Sequence, residues 1–182
     1  KILEKEAKLF SEWYIGNKLK KSEQKKFKQS YSVIIKKLIK KINQKNDTFV
    51  HRDFHISNLM MIKNKIGIID SQDALIGNKA YDLASLIDDV RFETSEKLKN
   101  EIFNFYLKTQ KILNKKNFKS DFNIISVLRN LKIIGIFTRL AVRDNKKKYL
   151  KLIPYTWSLI KLRSEKSAYF KDLNNLLKVL NN

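Results

Sequence analysis

VHRDFHISNLMMIKNKIGIIDSQDALIGNKAYDLASL, residues 50 to 86, decides how the rest of this 182-residue chain is read. Two short apolar runs, Leu59-Met60-Met61-Ile62 and Ile66-Gly67-Ile68-Ile69, flank Lys63-Asn64-Lys65, a polar connection of the length that joins hairpin strands. Asn58 stands just before the first run and Asp70 just after the second, so antiparallel pairing returns both to the same end. Asp53, Asp73, Asp82 and His51 gather around that hairpin in the sequence.

His51-Arg52-Asp53 with Asn58 spells H-R-D-x-x-x-x-N, the spacing of a kinase catalytic loop, and Asp70 follows an apolar run, where a kinase places its metal-binding aspartate. Phosphoryl transfer asks the protein for a carboxylate that orients an acceptor hydroxyl and for hard oxygen ligands to Mg²⁺ bridging the phosphates of ATP. Asp53 suits the first task; Asn58 and Asp70 suit the second. The competing account is that Asp and Asn form turns and caps here, which an H-R-D tripeptide alone would not overcome. The hairpin and the two correctly spaced partners favour the catalytic reading of the His51-Arg52-Asp53 tripeptide. Within it, His51 is expected to hold the loop by hydrogen bonding rather than to carry protons, and His55 to do the same.

His51-Arg52-Asp53-Phe54-His55, Ile69-Asp70-Ser71-Gln72-Asp73-Ala74 and Gly77-Asn78-Lys79-Ala80-Tyr81-Asp82-Leu83-Ala84-Ser85-Leu86 resemble the aminoglycoside phosphotransferase and choline kinase group of kinase-like enzymes. The second and third pieces, with residues 129 to 140, Arg143-Asp144 and Tyr149-Leu150, are most similar to the bacterial branch that phosphorylates N-acetylmuramate and N-acetylglucosamine at the anomeric position. The resemblance spans about residues 48 to 160. It implies Asp53 as catalytic base, Asn58 and Asp70 as Mg²⁺ ligands, and Asp82 as a buried residue bracing the loop; Asp73 receives no defined role beyond the substrate side of the site. Ser71 departs from the aromatic residue usual after the metal aspartate. Asp82 also reads as a helix N-cap, since Leu83, Leu86, Ile87 and Val90 follow at helical spacing.

A complete enzyme of this kind has a strand-rich N-terminal lobe with a lysine for the nucleotide phosphates and a glutamate paired to it. The four glycines, Gly16, Gly67, Gly77 and Gly135, cannot build a phosphate-cradling glycine loop, and residues 1 to 45 read as helices. The chain opens on Lys1. The expectation is a mainly α domain over residues 1 to 182 with a small β-hairpin, the C-terminal lobe of a protein-kinase-like fold with the N-terminal lobe absent, and weak or no activity by itself. Residues 48 to 86 carry the catalytic loop and metal-site hairpin, and the remainder is helical.

Composition agrees with one domain: 43% of residues are apolar, enough for a core. No run approaches the roughly 18 apolar residues a membrane helix needs. Cysteine is absent, which removes disulfides and thiolate metal sites and fits a cytoplasmic location. The formal charge of +21 raises nucleic-acid binding, but the 39 basic residues comprise only six arginines, and the lysines are spread over nearly every predicted helix. A phosphate-clamping surface favours arginine forks, so a basic nucleic-acid-binding protein ranks below a kinase, as does an inactive pseudokinase or regulatory fragment. Such a charge disfavours polycationic substrates and suits a neutral or anionic sugar.

Periodicity predicts helices over residues 2–16, 23–43, Asp82 to about Phe92, 95–113, from Ser120 or Asp121 to Val142, after Pro154, and over 164–180. The aromatics are expected in the core, with Trp157 or Tyr155 lining a sugar site as the alternative, since exposed aromatics stack on sugar rings. Asp88 and Asp89 are expected either to line a local acidic pocket or to be exposed late in a helix. Arg129, Arg139 and Arg143 stand out because arginine is scarce, and Arg139 is the candidate ligand for an anionic group on the sugar, with surface ion pairing as the alternative.

Overall fold

The computed structural model describes residues 2–180 and is mostly helical, with two small antiparallel sheets. These residues pack as two compact units, one taking in the chain up to Ile42 and from Val127 onward, the other Asn43–Ser126.

In the first unit, α1 (Ile2–Leu9) passes through a π-helical turn, Phe10–Tyr14, into α2 (Ile15–Lys18), and α3 spans Lys21–Lys40. Phe27, Tyr31, Ile35 and Leu38, three or four residues apart, give α3 one buried face. Phe10 is fully buried among the rings of Tyr14, Tyr31 and Trp157, with centroids 5.3 to 5.8 Å away, so Trp157, itself only half-buried, packs against the core from its edge. Gly135 lies directly against the backbone of Leu9 and Phe10, where the π-turn begins, and a Cβ there would meet main-chain atoms. The Glu6 and Lys132 side chains pair at 2.9 Å, both nearly buried.

The later helices are α6 (Lys115–Val142), whose residues from Val127 belong to this unit, α7 (Ile153–Ser164) with Pro154 in its first turn, and the short α8 (Lys171–Lys178). The helix expected over 164–180 is interrupted: Ser164 ends α7, and a 3₁₀ turn, Ala168–Phe170, precedes α8. Nor does α6 start at Ser120 or Asp121. Asn114 Oδ1 accepts the Asn117 N–H and caps it, while Asp121, inside the helix, accepts from the Asn43 and Gln44 N–H groups at 2.9 and 2.7 Å.

The second unit holds residues 50 to 86. The strands β2 (Leu59–Ile62) and β3 (Lys65–Ile68) form the expected hairpin, with Leu59 opposite Ile68 and Ile62 opposite Lys65. Its turn is two residues, Lys63-Asn64, and Lys63 adopts φ 55°, the left-handed backbone that twisted two-residue hairpins require. A second pair was not anticipated: β1 (Asn46–Val50) runs antiparallel to β4 (Leu75–Asn78). The next helix, α4 (Ala80–Ile87), starts two residues before Asp82, with Asn78 Oδ1 accepting the Ala80 N–H, so Asp82 lies in the first turn and is not the cap. It stops at Ile87, short of Phe92. After it, α5 (Glu96–Thr109) is capped by Ser95 and meets the start of α6 through Phe103, Phe118, Phe122 and Tyr106. No helix among the described residues is long and apolar enough to cross a membrane.

Candidate active site

Antiparallel pairing at the open end of the hairpin does what the sequence pattern demands. The Ile69 N–H donates to the Asn58 carbonyl at 3.1 Å, which extends the ladder by one bond and sets Asn58 beside Asp70. The Asn58 amide nitrogen, buried with its residue, donates to the Asp53 carbonyl oxygen at 2.9 Å and approaches Asp70 Oδ2 at 3.4 Å. Those two acceptors fix the amide's orientation and leave Asn58 Oδ1 as its hard oxygen donor. Asp53, Asn58 and Asp70 are thus brought together.

The loop before them is held from α4. Asp82 accepts the His51 N–H at 2.7 Å through Oδ2 and the Arg52 N–H at 2.9 Å through Oδ1, although the residue is half-buried rather than buried. Ser85, one turn on, donates to the Arg52 carbonyl at 3.4 Å. Arg52 adopts φ 73° and Asp70 φ 71°, a conformation that costs a non-glycine residue about 1 kcal/mol or more and persists only where surroundings enforce it. The ring of His51, 3% exposed, lies 3.0 Å through Nε2 from the Ile69 carbonyl; since a carbonyl only accepts, Nε2 carries the proton. Arg52 Nη1 donates to the Asp73 carbonyl at 3.2 Å. The carboxylates of Asp53 and Asp73 accept no hydrogen bond among the described residues, and Asp70 and Asp73 face solvent.

His55, 7% exposed, sits between Asp53 and the 3₁₀ turn Ile56–Asn58, its N–H on the Asp53 carbonyl and its own carbonyl accepting from the Asn58 N–H. The Ile56 N–H that starts that turn goes to Asp89 Oδ2 at 3.2 Å, and Asp89 Oδ1 takes the Arg91 N–H at 3.0 Å. Neither expectation for Asp88 describes it. It is fully buried, accepts from the Ser126 hydroxyl at 2.6 Å and pairs at 3.6 Å with Lys99, whose ammonium also donates to the Ile87 carbonyl; it neither lines a pocket nor faces solvent. Arg139, half-buried on α6, belongs to the other unit. There Arg143, hydrogen-bonded to Asp144 at 2.6 and 3.0 Å, holds that carboxyl below its ordinary value, and Lys146 and Arg139 add positive charge. Burial, and then the charge of Asp82, push the Tyr106 phenol above its ordinary value. Ser85 and the loop-anchoring use of Asp89 escaped the sequence reading; the spacing of Ser85 three residues after Asp82, on the same helix face, was the available signal.

Among the described residues no three carboxylates or histidines cluster as a closed metal cage. Two oxygen donors, Asn58 Oδ1 and the exposed Asp70 carboxylate, could hold a hard cation such as Mg²⁺, an ion for which one or two protein ligands besides water and phosphate suffice.

Residues 3–113 match the profile of a phosphotransferase enzyme family. The chain is 31% identical over 179 residues to an N-acetylmuramate/N-acetylglucosamine kinase of Neisseria meningitidis, covering 95% of this chain and 54% of that protein. A kinase of the same name from Pseudomonas aeruginosa is 28% identical over 182 residues, with 97% and 54% covered, and one from Caulobacter vibrioides is 32% identical over 114 residues, with 60% and 31% covered. The chain spans about half the length of the first two relatives.

Proposed function

Because this chain belongs to the phosphotransferase enzyme family, we propose that it carries the base and metal-binding half of an ATP-dependent kinase that phosphorylates a hydroxyl of an amino sugar. The observation that supports the reading is the Asn58 amide spanning the Asp53 carbonyl and the Asp70 carboxylate, which links the three residues to which this reading gives the work of phosphoryl transfer. In the proposed reaction Asp53 orients the sugar hydroxyl and receives its proton as the oxygen bonds to the γ-phosphorus and the bond to ADP breaks. Mg²⁺, held by Asn58 Oδ1 and Asp70, would neutralise charge on the phosphate oxygens. His51 and Asp82 hold the loop.

The kinase relatives direct the substrate choice to N-acetylmuramate or N-acetylglucosamine. On this proposal the domain is the C-terminal lobe, and the lysine and glutamate for the outer phosphates come from the half of such kinases lying outside the matched span. Asp73 and Arg139 remain substrate-side candidates, and an Arg139→Ala enzyme with unchanged affinity for a carboxylated sugar would remove Arg139.

The test assays the chain alone, and again grafted in place of the matched span of the Neisseria meningitidis kinase, for ATP-dependent phosphorylation of both amino sugars, choline and an aminoglycoside. The graft is expected to phosphorylate an amino sugar and to lose at least about 100-fold in rate on Asp53→Asn. A folded graft inactive on all acceptors, or one whose Asp53→Asn variant keeps its rate, would refute the proposal.

A further inference from the structure

Asp70 is gripped on both sides by the dipeptide that precedes Asp53. On its N-terminal side the Ile69 carbonyl accepts from His51 Nε2 at 3.0 Å, and on its C-terminal side the Asp73 carbonyl accepts from Arg52 Nη1 at 3.2 Å. Asp70 itself is exposed and left-handed at φ 71°, and Ser71 to Ala74 form a turn closed by the Ala74 N–H on the Ser71 carbonyl at 3.0 Å. Aspartate tolerates that conformation better than most residues, but with little packing around it the segment is held in place by the hydrogen bonds it receives from outside.

We propose that Arg52 is a positioning residue: its guanidinium clasps the Ser71–Ala74 turn so that the metal-binding carboxylate of Asp70 and the base Asp53 are held as one body. The inference rests on the roles given above to Asp53 and Asp70. Arg52 is equipped for this from its own backbone, which is fixed at the N–H by Asp82 and at the carbonyl by Ser85. With the main chain anchored to α4, the side chain transmits that anchorage 21 residues along the sequence. The acceptor is the carbonyl of residue 73, not its carboxylate, so the clasp does not depend on the side chain found there. An arginine that served only local stability would carry no consequence for the far side of Asp70.

Arg52→Gly separates the two accounts. Glycine adopts φ 73° without steric cost, so the loop and its bonds to Asp82 and Ser85 survive while the clasp is lost. The full chain, ¹⁵N-labelled, is compared as wild type, Arg52→Gly, Asp73→Ala and Asp70→Asn by thermal melting, by amide exchange at Ala74 and by line broadening on titration with Mn²⁺ alone. The expected result for Arg52→Gly is an unchanged or raised melting temperature, Ala74 exchange about tenfold faster, and several times more Mn²⁺ needed to broaden the Asn58 and Asp70 amides; Asp73→Ala keeps the wild-type Ala74 exchange, because the clasp ends on a main-chain carbonyl. Unchanged Ala74 exchange in Arg52→Gly, or an Asp73→Ala variant that reproduces its effects, overturns the clasp. Wild-type broadening that Asp70→Asn fails to abolish overturns instead the metal reading of Asp70, and Ala74 exchange still decides the clasp.

Discussion

Replacing Asp82 by asparagine removes one charge and changes little else in shape. In the folded chain its two carboxylate oxygens each accept a backbone N–H, His51 at 2.7 Å and Arg52 at 2.9 Å. An amide offers only one oxygen. The bond it keeps loses its charge assistance, falling to about half its strength, and the other N–H faces an amide NH₂ that cannot accept. Leaving a desolvated donor unmade costs about 1–3 kcal/mol, so the two effects together come to about 3 kcal/mol. For a chain of this length that corresponds to about 6–12 °C in melting temperature. The loss is local in origin, so the His51 and Arg52 amides should also lose protection against hydrogen exchange, and Arg52 should relax from its left-handed φ of 73°. Circular dichroism melting and amide exchange on the same preparation supply both readouts. A melting temperature within about 2 °C of wild type, with both amides still protected, would show that α4 does not hold the loop.

Gly135→Ala should destabilise despite alanine's helix propensity, worth about 1 kcal/mol, because the new Cβ would stand 2.6 Å from the Phe10 nitrogen and against the rest of the Leu9–Phe10 peptide, which no rotamer change can clear. Overpacking of this kind costs about 1–3 kcal/mol, and a melting temperature equal to or above wild type would refute it. Burial pushes the Tyr31 phenol well above its ordinary value of 10.0, so its neutral form stabilises the fold fully below about pH 10, and that contribution is lost as pH rises beyond. Tyr31→Phe, which gives up the hydroxyl's 2.9 Å bond to the Ala7 carbonyl, should melt below wild type at pH 8, and the gap should narrow between pH 9 and 11 as only the wild type carries the titrating phenol. A gap that stays constant or widens over that range contradicts the assignment.

What was legible in the sequence follows from the range of the forces concerned. The hairpin could be read because its strands are joined by two residues, and the adjacency of Asn58 and Asp70 follows from antiparallel geometry alone. Helices α1 to α3 could be read because a 3.6-residue period marks each buried face without reference to a partner. The pairing of Asn46–Val50 with Leu75–Asn78 was not legible: each strand is too short for a clear alternation, and the catalytic-loop segment and the hairpin lie between them in the sequence. Asp121 illustrates the same limit, since it looks like a cap in sequence yet serves backbone N–H groups of Asn43 and Gln44, 78 and 77 residues away.

The sequence by itself determined which residues are the candidates for chemistry: Asp53, Asn58 and Asp70 stand out by residue type and spacing, because hydroxyl orientation and Mg²⁺ ligation would need those functional groups and a hairpin sets Asn58 beside Asp70 locally. Only the tertiary structure decided how they are held. Whether a carboxylate is exposed like Asp70, half-buried and accepting main-chain N–H groups like Asp82, or sealed beside Lys99 and Ser126 like Asp88 depends on which distant groups surround it. The left-handed backbone of Arg52 belongs to that second class, since no local preference of arginine selects it and the carboxylate that holds its N–H comes from 30 residues away.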